Sequence, residues 1–364
     1  YLTMKIMSIF GTRPEIIRLS RIFPLLDKNF KHIMVNTDQN YTKELNSVFF
    51  SELELRKPDY NLKIRTGQYG IEIADIISKT EQVILKEHPD LVLILGDTNS
   101  GLSVIPASHH GIQIAHLEAG MRAYDIRMPE EKNRILIDHL STVLLPYTNY
   151  SRENLIRENV HPSKIYVVGN PIVEVIDHFS PKIEKSKILE KMKLKQDDFF
   201  LVTAHRSENV DNLEQLKIIF SSLEKIHKKF KKRIIYPMHP RTSSKLKKQS
   251  IPKGIEIIKP LGFFDFTKLE KNALCLITDS GTVPEETLYF KKPCVTIRES
   301  TERPETIEAG SNILAGLDVE NILNSVKQIT SIRPDWNWDL SLGDGKTASK
   351  VINILRGKLE RRKI

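Results

Sequence analysis

Apolar positions along the chain fall into short unbroken runs, each followed by a polar turn and then by a stretch of helical period. In the first half, IMSIF (6–10) precedes GTRPEIIRLSRIFPLL, HIMVN (32–36) precedes a segment ending in NSVFFSEL, and DLVLILGD (90–97) precedes a helix of small residues. IQIAHLEAG (112–120) follows, and KIYVVGN (164–170) comes later in this half. A second series runs through FFLVTAH (199–205), RIIYPMHP (233–240), IEIIKPL (255–261), ALCLITDSG (273–281) and PCVTIRE (293–299). Strands covered by helices on both faces read as continuous apolar runs, so this order predicts βαβ units and parallel sheets. Between the series lies a charged helical stretch, 180–198, with a hinge near 169–171. The pattern predicts an α/β protein of two Rossmann-like doubly wound domains, residues 1–171 and 172–345. A last helix within 346–364 can then pack back on either domain, the first among them.

Length and composition fit this picture. A chain of 364 residues exceeds one ordinary core, and 40% hydrophobic with 28% charged residues is a globular balance. No apolar run approaches the roughly 20 residues of a membrane-spanning helix. The first strand-like run begins immediately after Lys5 and leaves no room for a leader, so the expected location is cytoplasmic. Cys275 and Cys294 both fall in apolar runs, without metal-ligand spacing, and read as buried inert thiols. The net charge of +9 raises nucleic-acid binding as a question. Its basic segments, HKKFKKR (227–233), KLKK (245–248) and RGKLERRK (356–363), read instead as solvated helix faces and ends, with no recognition-helix, RNP or zinc-finger pattern. What remains is a general attraction for small anionic ligands. Neither a nucleic acid nor a membrane is an expected partner.

Ligands of doubly wound sheets bind beyond the carboxyl ends of the strands, and there this chain carries unusual groups. Gly11-Thr12-Arg13-Pro14-Glu15 offers a turn, a guanidinium fork suited to phosphate, and a proline suited to a helix start. It is not the dinucleotide fingerprint, so NAD has little support. Asp97 ends a wholly apolar run and serves as a helix cap or a catalytic base. Glu118 ends the next run. Glu130 and Glu131 open a segment after Pro129, where they can also favour a helix N-terminus, and Arg122, Arg127 and Arg134 lie among these acids as competing ion-pair partners. In the second half, His205 and Arg206 end one run and His239 another, a pairing that points to anion binding. Ser280-Gly281-Thr282 precedes a helix starting near Pro284, and free amides at a helix start bind phosphate. Glu286, one turn in, can accept from vicinal ribose hydroxyls. Arg298 and Arg303 either balance a diphosphate or pair with local acids. The acids are dispersed, with no HExxH, paired CxxC or GxSxG. No metal and no cofactor is expected, because amides and arginines can hold a diphosphate without Mg²⁺.

The segments GTRPEIIRLS, LGDTNS, HLEAGMRAYDIRMPEEKNR, TAHRSEN, YPMHP, TDSGTVPEE and TERPE occur in this order over nearly the whole chain. Together they resemble the non-hydrolysing UDP-N-acetylglucosamine 2-epimerase family. The resemblance implies two Rossmann-like domains in the GT-B arrangement, with the active site in the interdomain cleft, usually in a homodimer. It implies reversible inversion at C-2 of the sugar by elimination of UDP to a 2-acetamidoglucal and re-addition, for surface-polysaccharide precursors. Motif by motif, catalytic roles fall on Asp97, Glu118, Glu130 and His205. Substrate- and UDP-binding roles fall on Arg13, Arg18, His239, Phe266, Ser280, Gly281, Thr282, Glu286 and Arg303. The chain departs from the pattern at Arg18, where many members have lysine, at Asp38 and Asn40 around Gln39, and at Ser207, where many carry a second arginine; allosteric activation by UDP-N-acetylglucosamine is therefore open. GTRPEIIRLS, LILGDTNS and the QNY triplet also resemble the branch acting on UDP-N-acetyl-L-fucosamine-type sugars, whereas EAGMRAYD does not. A hydrolysing epimerase, a GT-B glycosyltransferase and a non-enzymatic UDP-sugar-binding protein are the other readings.

Overall fold

The computed structural model describes residues 4–38, 49–65, 67–238 and 251–360. Gln39, Asn40 and His239 lie outside the described residues, as does the side chain of Ser207. The chain divides into two compact units, Tyr1–Asp177 with Leu342–Ile364, and His178–Ser341. The apolar pattern puts these divisions at 171/172 and 345/346. The first falls within helix Pro171–Lys185, which the two units share.

In the first unit, β1 (Lys5–Phe10), β2 (Lys31–Asn36), β3 (Tyr60–Asn61), β4 (Leu91–Leu95), β5 (Gln113–Leu117) and β6 (Val143–Leu145) form one sheet in the order β3-β2-β1-β4-β5-β6. All five pairings are parallel, as continuous apolar strands require. Met7, Ile9, Val35, Val92, Ile94 and Ile114 form a core with Val83 and Ile84 of helix Tyr69–Glu87 and Ile137 of helix Pro129–Leu140. The apolar run 164–170 is not a ladder strand. It bridges β6 at Ile165 only, with Tyr166 and Val168 donating to the carbonyls of Leu144 and Pro146, before Gly169 turns into the next helix. The last helix, Thr347–Glu360, packs on helix Phe23–Asn29 of the same unit, where Arg356 donates to Asn29 at 2.6 Å.

In the second unit, β7 (Phe199–Thr203), β8 (Arg233–Pro237), β9 (Ile255–Ile258), β10 (Cys275–Thr278), β11 (Cys294–Thr296) and β12 (Asn312–Leu314) are ordered β12-β11-β10-β7-β8-β9, again all parallel. Counted from its own first strand this is the same 3-2-1-4-5-6 order, the doubly wound arrangement of nucleotide-binding sheets. The core gathers Phe199, Leu201, Ile235, Leu276 and Cys294 with Leu269 and Val283. Both cysteines are buried and reduced, and burial pushes the Cys294 thiol up to about 12, leaving it inert. Among the described residues no helix is long and apolar enough to cross a membrane, and no acidic, His or Cys group could hold a metal.

In each sheet the order reverses between two neighbouring strands, β1 and β4 in the first, β7 and β10 in the second. Connections leave these strands toward opposite faces, so a crevice opens beyond their carboxyl ends. The charged motifs lie there.

Candidate active site

At the first switch point, buried Glu15 joins the loops that follow β1 and β4. Its Oε2 accepts from the amides of Gly11 at 2.5 Å and Thr12 at 3.0 Å, and its Oε1 accepts from Thr98 Oγ1 at 2.5 Å. One carboxyl thereby fixes the turn carrying Arg13 against the loop carrying Asp97. Burial raises its pKa to about 7; the hydrogen bonds from Thr98, Gly11 and Thr12 oppose that rise and nearby Asp97 adds to it. Glu15 was not singled out as a site residue in the sequence, although Thr12-x-x-Glu15 is the capping-box spacing that signals such a reach-back. Because the folded pKa lies above the unfolded value of 4.5, the stability tied to this proton is full below pH 4.5 and is lost as pH rises through about 7. Relative to Glu15→Gln, the wild-type chain is expected to lose on the order of 3 kcal/mol across that window in urea unfolding. A pH-independent difference between the two would refute the assignment.

Asp97 accepts from Arg134 Nε at 3.1 Å and also from Arg134 Nη2, while Asn133 holds its carbonyl at 3.0 Å. Arg134 reaches across to Glu131, which is buried and accepts from the amides of Ala123 and Tyr124 at 3.0 and 2.9 Å. Glu131 thus shapes the 120–125 loop. Its neighbour Glu130 is partly exposed, and its side chain has no hydrogen bond or ion pair among the described residues. Glu118 has a left-handed backbone, φ +74°, an uncommon state for a residue with a side chain. Its Oε2 lies 3.9 Å from Nε of fully buried Arg18. Gly120, at φ +78°, is required next: a Cβ there would stand 2.2 Å from the Ser151 carbonyl oxygen. Arg13 stacks over Phe49 at 5.1 Å and makes no ion pair among the described residues.

Behind these loops runs a buried chain of charge. Arg122 pairs with Glu158 at 2.6 Å and with Asp138 at 2.8 Å; Asp138 meets His116 Nδ1 at 2.7 Å, and His116 Nε2 meets the carbonyl of Gly96 at 2.8 Å. Burial alone would raise the Asp138 pKa, but His116 and Arg122 bring it below the carboxylate range. Arg122 is therefore a structural cation. The sequence offers Arg122 as an ion-pair partner but does not single out Asp138 and Glu158, which lie farther along the chain.

At the second switch point the central acid is Asp279, fully buried at the end of β10. It accepts from the amides of His205 and Arg206 at 3.0 Å each and from Asn209 Nδ2 at 3.0 Å, and Arg206 Nε returns to its carbonyl at 2.9 Å. The His205 ring stands 3.4 Å from Asp279 and is largely exposed. Ser280 and Thr282 hydroxyls meet at 3.2 Å, and Ser280 Oγ accepts from the Thr282 amide at 3.2 Å. The amides of Gly281 and Val283 take no partner among the described residues, leaving donors at the start of helix Val283–Tyr289. Gly281 lies so close to Glu302 that a Cβ would stand 2.3 Å from Oε1. Glu302 is held by Arg298 at 2.8 Å, and Arg303 is buried 2.7 Å from Glu285. Arg303 is thus committed to the carboxylates supporting the turn. Glu286 is buried in the same helix, and Phe266 is half-buried against the core.

Two doubly wound sheets, each with polar groups gathered at its switch point, define a protein of two Rossmann-like units. The family model described as UDP-N-acetylglucosamine 2-epimerase matches residues 26–356. A UDP-N-acetylglucosamine 2-epimerase of Methanococcus maripaludis is 43% identical over 97% of this chain and 99% of its own length. A Pseudomonas aeruginosa UDP-2,3-diacetamido-2,3-dideoxy-D-glucuronate 2-epimerase is 34% identical over 97% and 99%. The crystal structure of the Methanocaldococcus jannaschii UDP-GlcNAc 2-epimerase in complex with UDP-GlcNAc and UDP aligns at a TM-score of 0.92 and 41% identity, covering 97% of this chain and 99% of that one. The chain belongs to the UDP-N-acetylglucosamine 2-epimerase family.

Proposed function

We propose that the chain interconverts UDP-GlcNAc and UDP-ManNAc without net hydrolysis, for surface-polysaccharide precursors. The observation that carries this reading is that Asp97 and Glu118 follow the neighbouring strands β4 and β5, Asp97 paired with Arg134 and Glu118 3.9 Å from Arg18. C-2 of the sugar is not α to a carbonyl, so its hydrogen is barely acidic. Departure of UDP with the C-1–O bonding pair builds positive charge at C-1, which acidifies the C-2 hydrogen and is stabilised by carboxylates. A carboxylate takes that proton, giving the 2-acetamidoglucal. A proton delivered to the other face of C-2, with return of a UDP oxygen to C-1, inverts the centre. Two faces need more than one acid, and Asp97, Glu118 and Glu130 supply the candidates. The amides of Gly281 and Val283, with Ser280 and His205, balance the diphosphate that leaves and returns, and Glu286 accepts from the ribose. The homodimer implied by the resemblance and the cytoplasmic location expected from the sequence belong to the same proposal.

Incubation with UDP-GlcNAc in D₂O, followed by NMR of the sugars, tests this. The expected products are UDP-ManNAc and deuterium at C-2 in both sugars, with little free UDP. Stoichiometric UDP with free N-acetylmannosamine would make the chain a hydrolysing epimerase. Exchange only with a 6-deoxy L-sugar nucleotide would move it to that branch.

A further inference from the structure

His116 stands on β5 two residues before Glu118 and is 0% exposed. No step of the proposed chemistry uses it. Its Nε2 lies 2.8 Å from the carbonyl oxygen of Gly96, the residue before Asp97. A carbonyl only accepts, so Nε2 carries a hydrogen. Its Nδ1 lies 2.7 Å from Oδ1 of Asp138. Oδ2 of Asp138 takes Arg122 at 2.8 Å and the Gly120 amide at 3.1 Å, and both of these only donate. With a guanidinium and an amide on it, the carboxylate is ionised, and Nδ1 carries a hydrogen as well. A ring that donates from both nitrogens is an imidazolium.

The ring links the elements that carry the proposed acids. Helix Pro129–Leu140 holds the Asp97 carbonyl through Asn133 and the Asp97 carboxylate through Arg134, and Asp138 follows Arg134 by one turn on the same face. The Gly96 amide donates to the Leu117 carbonyl at 3.0 Å, so both backbone polar groups of Gly96 are held by consecutive residues of β5. Gly96 has φ +76°, and a Cβ there would stand 3.6 Å from Glu118 Oε1, which places this turn against the second acid. Gly120, beyond Glu118, is held by the same Asp138.

We propose that His116 is a positioning residue for Asp97 and Glu118: donating from both ring nitrogens, it ties the glycine turn that presents Asp97 to the strand that presents Glu118 and to the helix behind them. This rests on the reading of those acids as the groups that work at C-2. A misplacement of about 1 Å at a reacting group costs on the order of 10²-fold in rate, which sets the scale of what the tie protects.

Glutamine can place an amide N–H where Nε2 stands, and asparagine where Nδ1 stands, so two variants separate the two grips. His116→Gln keeps the Gly96 contact, and its single-turnover deuterium exchange at C-2 is expected near the wild-type rate. His116→Asn releases Gly96, and exchange falls roughly 10- to 100-fold while UDP affinity by calorimetry holds. Equal rates in the two variants, wild-type exchange in His116→Asn, or a matching loss of UDP affinity would overturn the proposal. Wild-type exchange in Asp97→Asn, measured alongside, removes the reading of the acids itself, and the inference with it. Independently of how the variants fold, ¹⁵N NMR of the wild-type chain, with the His116 ring assigned through its backbone, shows hydrogens on both ring nitrogens at neutral pH. A bare nitrogen in that ring is equally decisive against the idea.

Discussion

Replacing Asp97 by asparagine is expected to suppress deuterium exchange at C-2 by roughly 10²- to 10⁴-fold, the usual contribution of a positioned acid or base. The substitution is nearly isosteric, and an amide oxygen still accepts from Arg134, so the loop geometry persists while charge and basicity are lost. Affinity for UDP stays near the wild-type value, because the diphosphate and ribose contacts are assigned to groups other than Asp97. Single-turnover exchange in D₂O together with UDP calorimetry separates the two effects. Wild-type exchange would remove Asp97 from the chemistry, and a parallel loss of UDP affinity would mark it as structural.

The second large effect is expected at Asp279. Its carboxylate is fully buried and accepts from two backbone amides and the Asn209 side chain. Asp279→Ala leaves those donors without an acceptor and makes a small cavity at the junction of β7 and β10. Each orphaned buried donor costs about 1–3 kcal/mol, so the unfolding free energy should fall by roughly 3–5 kcal/mol in urea titrations. Asparagine in its place can accept with one atom only and should recover part of the loss. A cost within the range of surface substitutions, about 0.5 kcal/mol, would show that the loops stand without this acid.

Much of this arrangement is legible in the chain. A charged residue closing an unbroken apolar run has few roles, so Asp97, Glu118 and His205 stand out, and a Ser-Gly-Thr turn before Pro284 announces exposed amides. Strands flanked by strong turns are equally plain. The three-residue strands Val143–Leu145 and Asn312–Leu314 are not, being too short to establish a period. Residues whose role depends on a distant partner are hidden as well. Arg303 reads equally as a phosphate ligand or an ion-pair partner until Glu285 is seen against it, and Glu131 is indistinguishable from Glu130 until the amides of 123 and 124 turn toward it. Glu15, Asp138 and Asp279 owe their importance to burial that no local pattern records.

The two sheets share one solution at their switch points, reached from opposite directions. In the first, Glu15 follows β1 and holds the loop after β4; in the second, Asp279 follows β10 and holds the loop after β7. Loops at strand ends are ordinarily the segments whose freedom is lost when a ligand arrives. Here hydrogen bonds to buried carboxyls hold these loops, so an anion bound as proposed would meet donors already in place, its binding correspondingly less opposed by entropy.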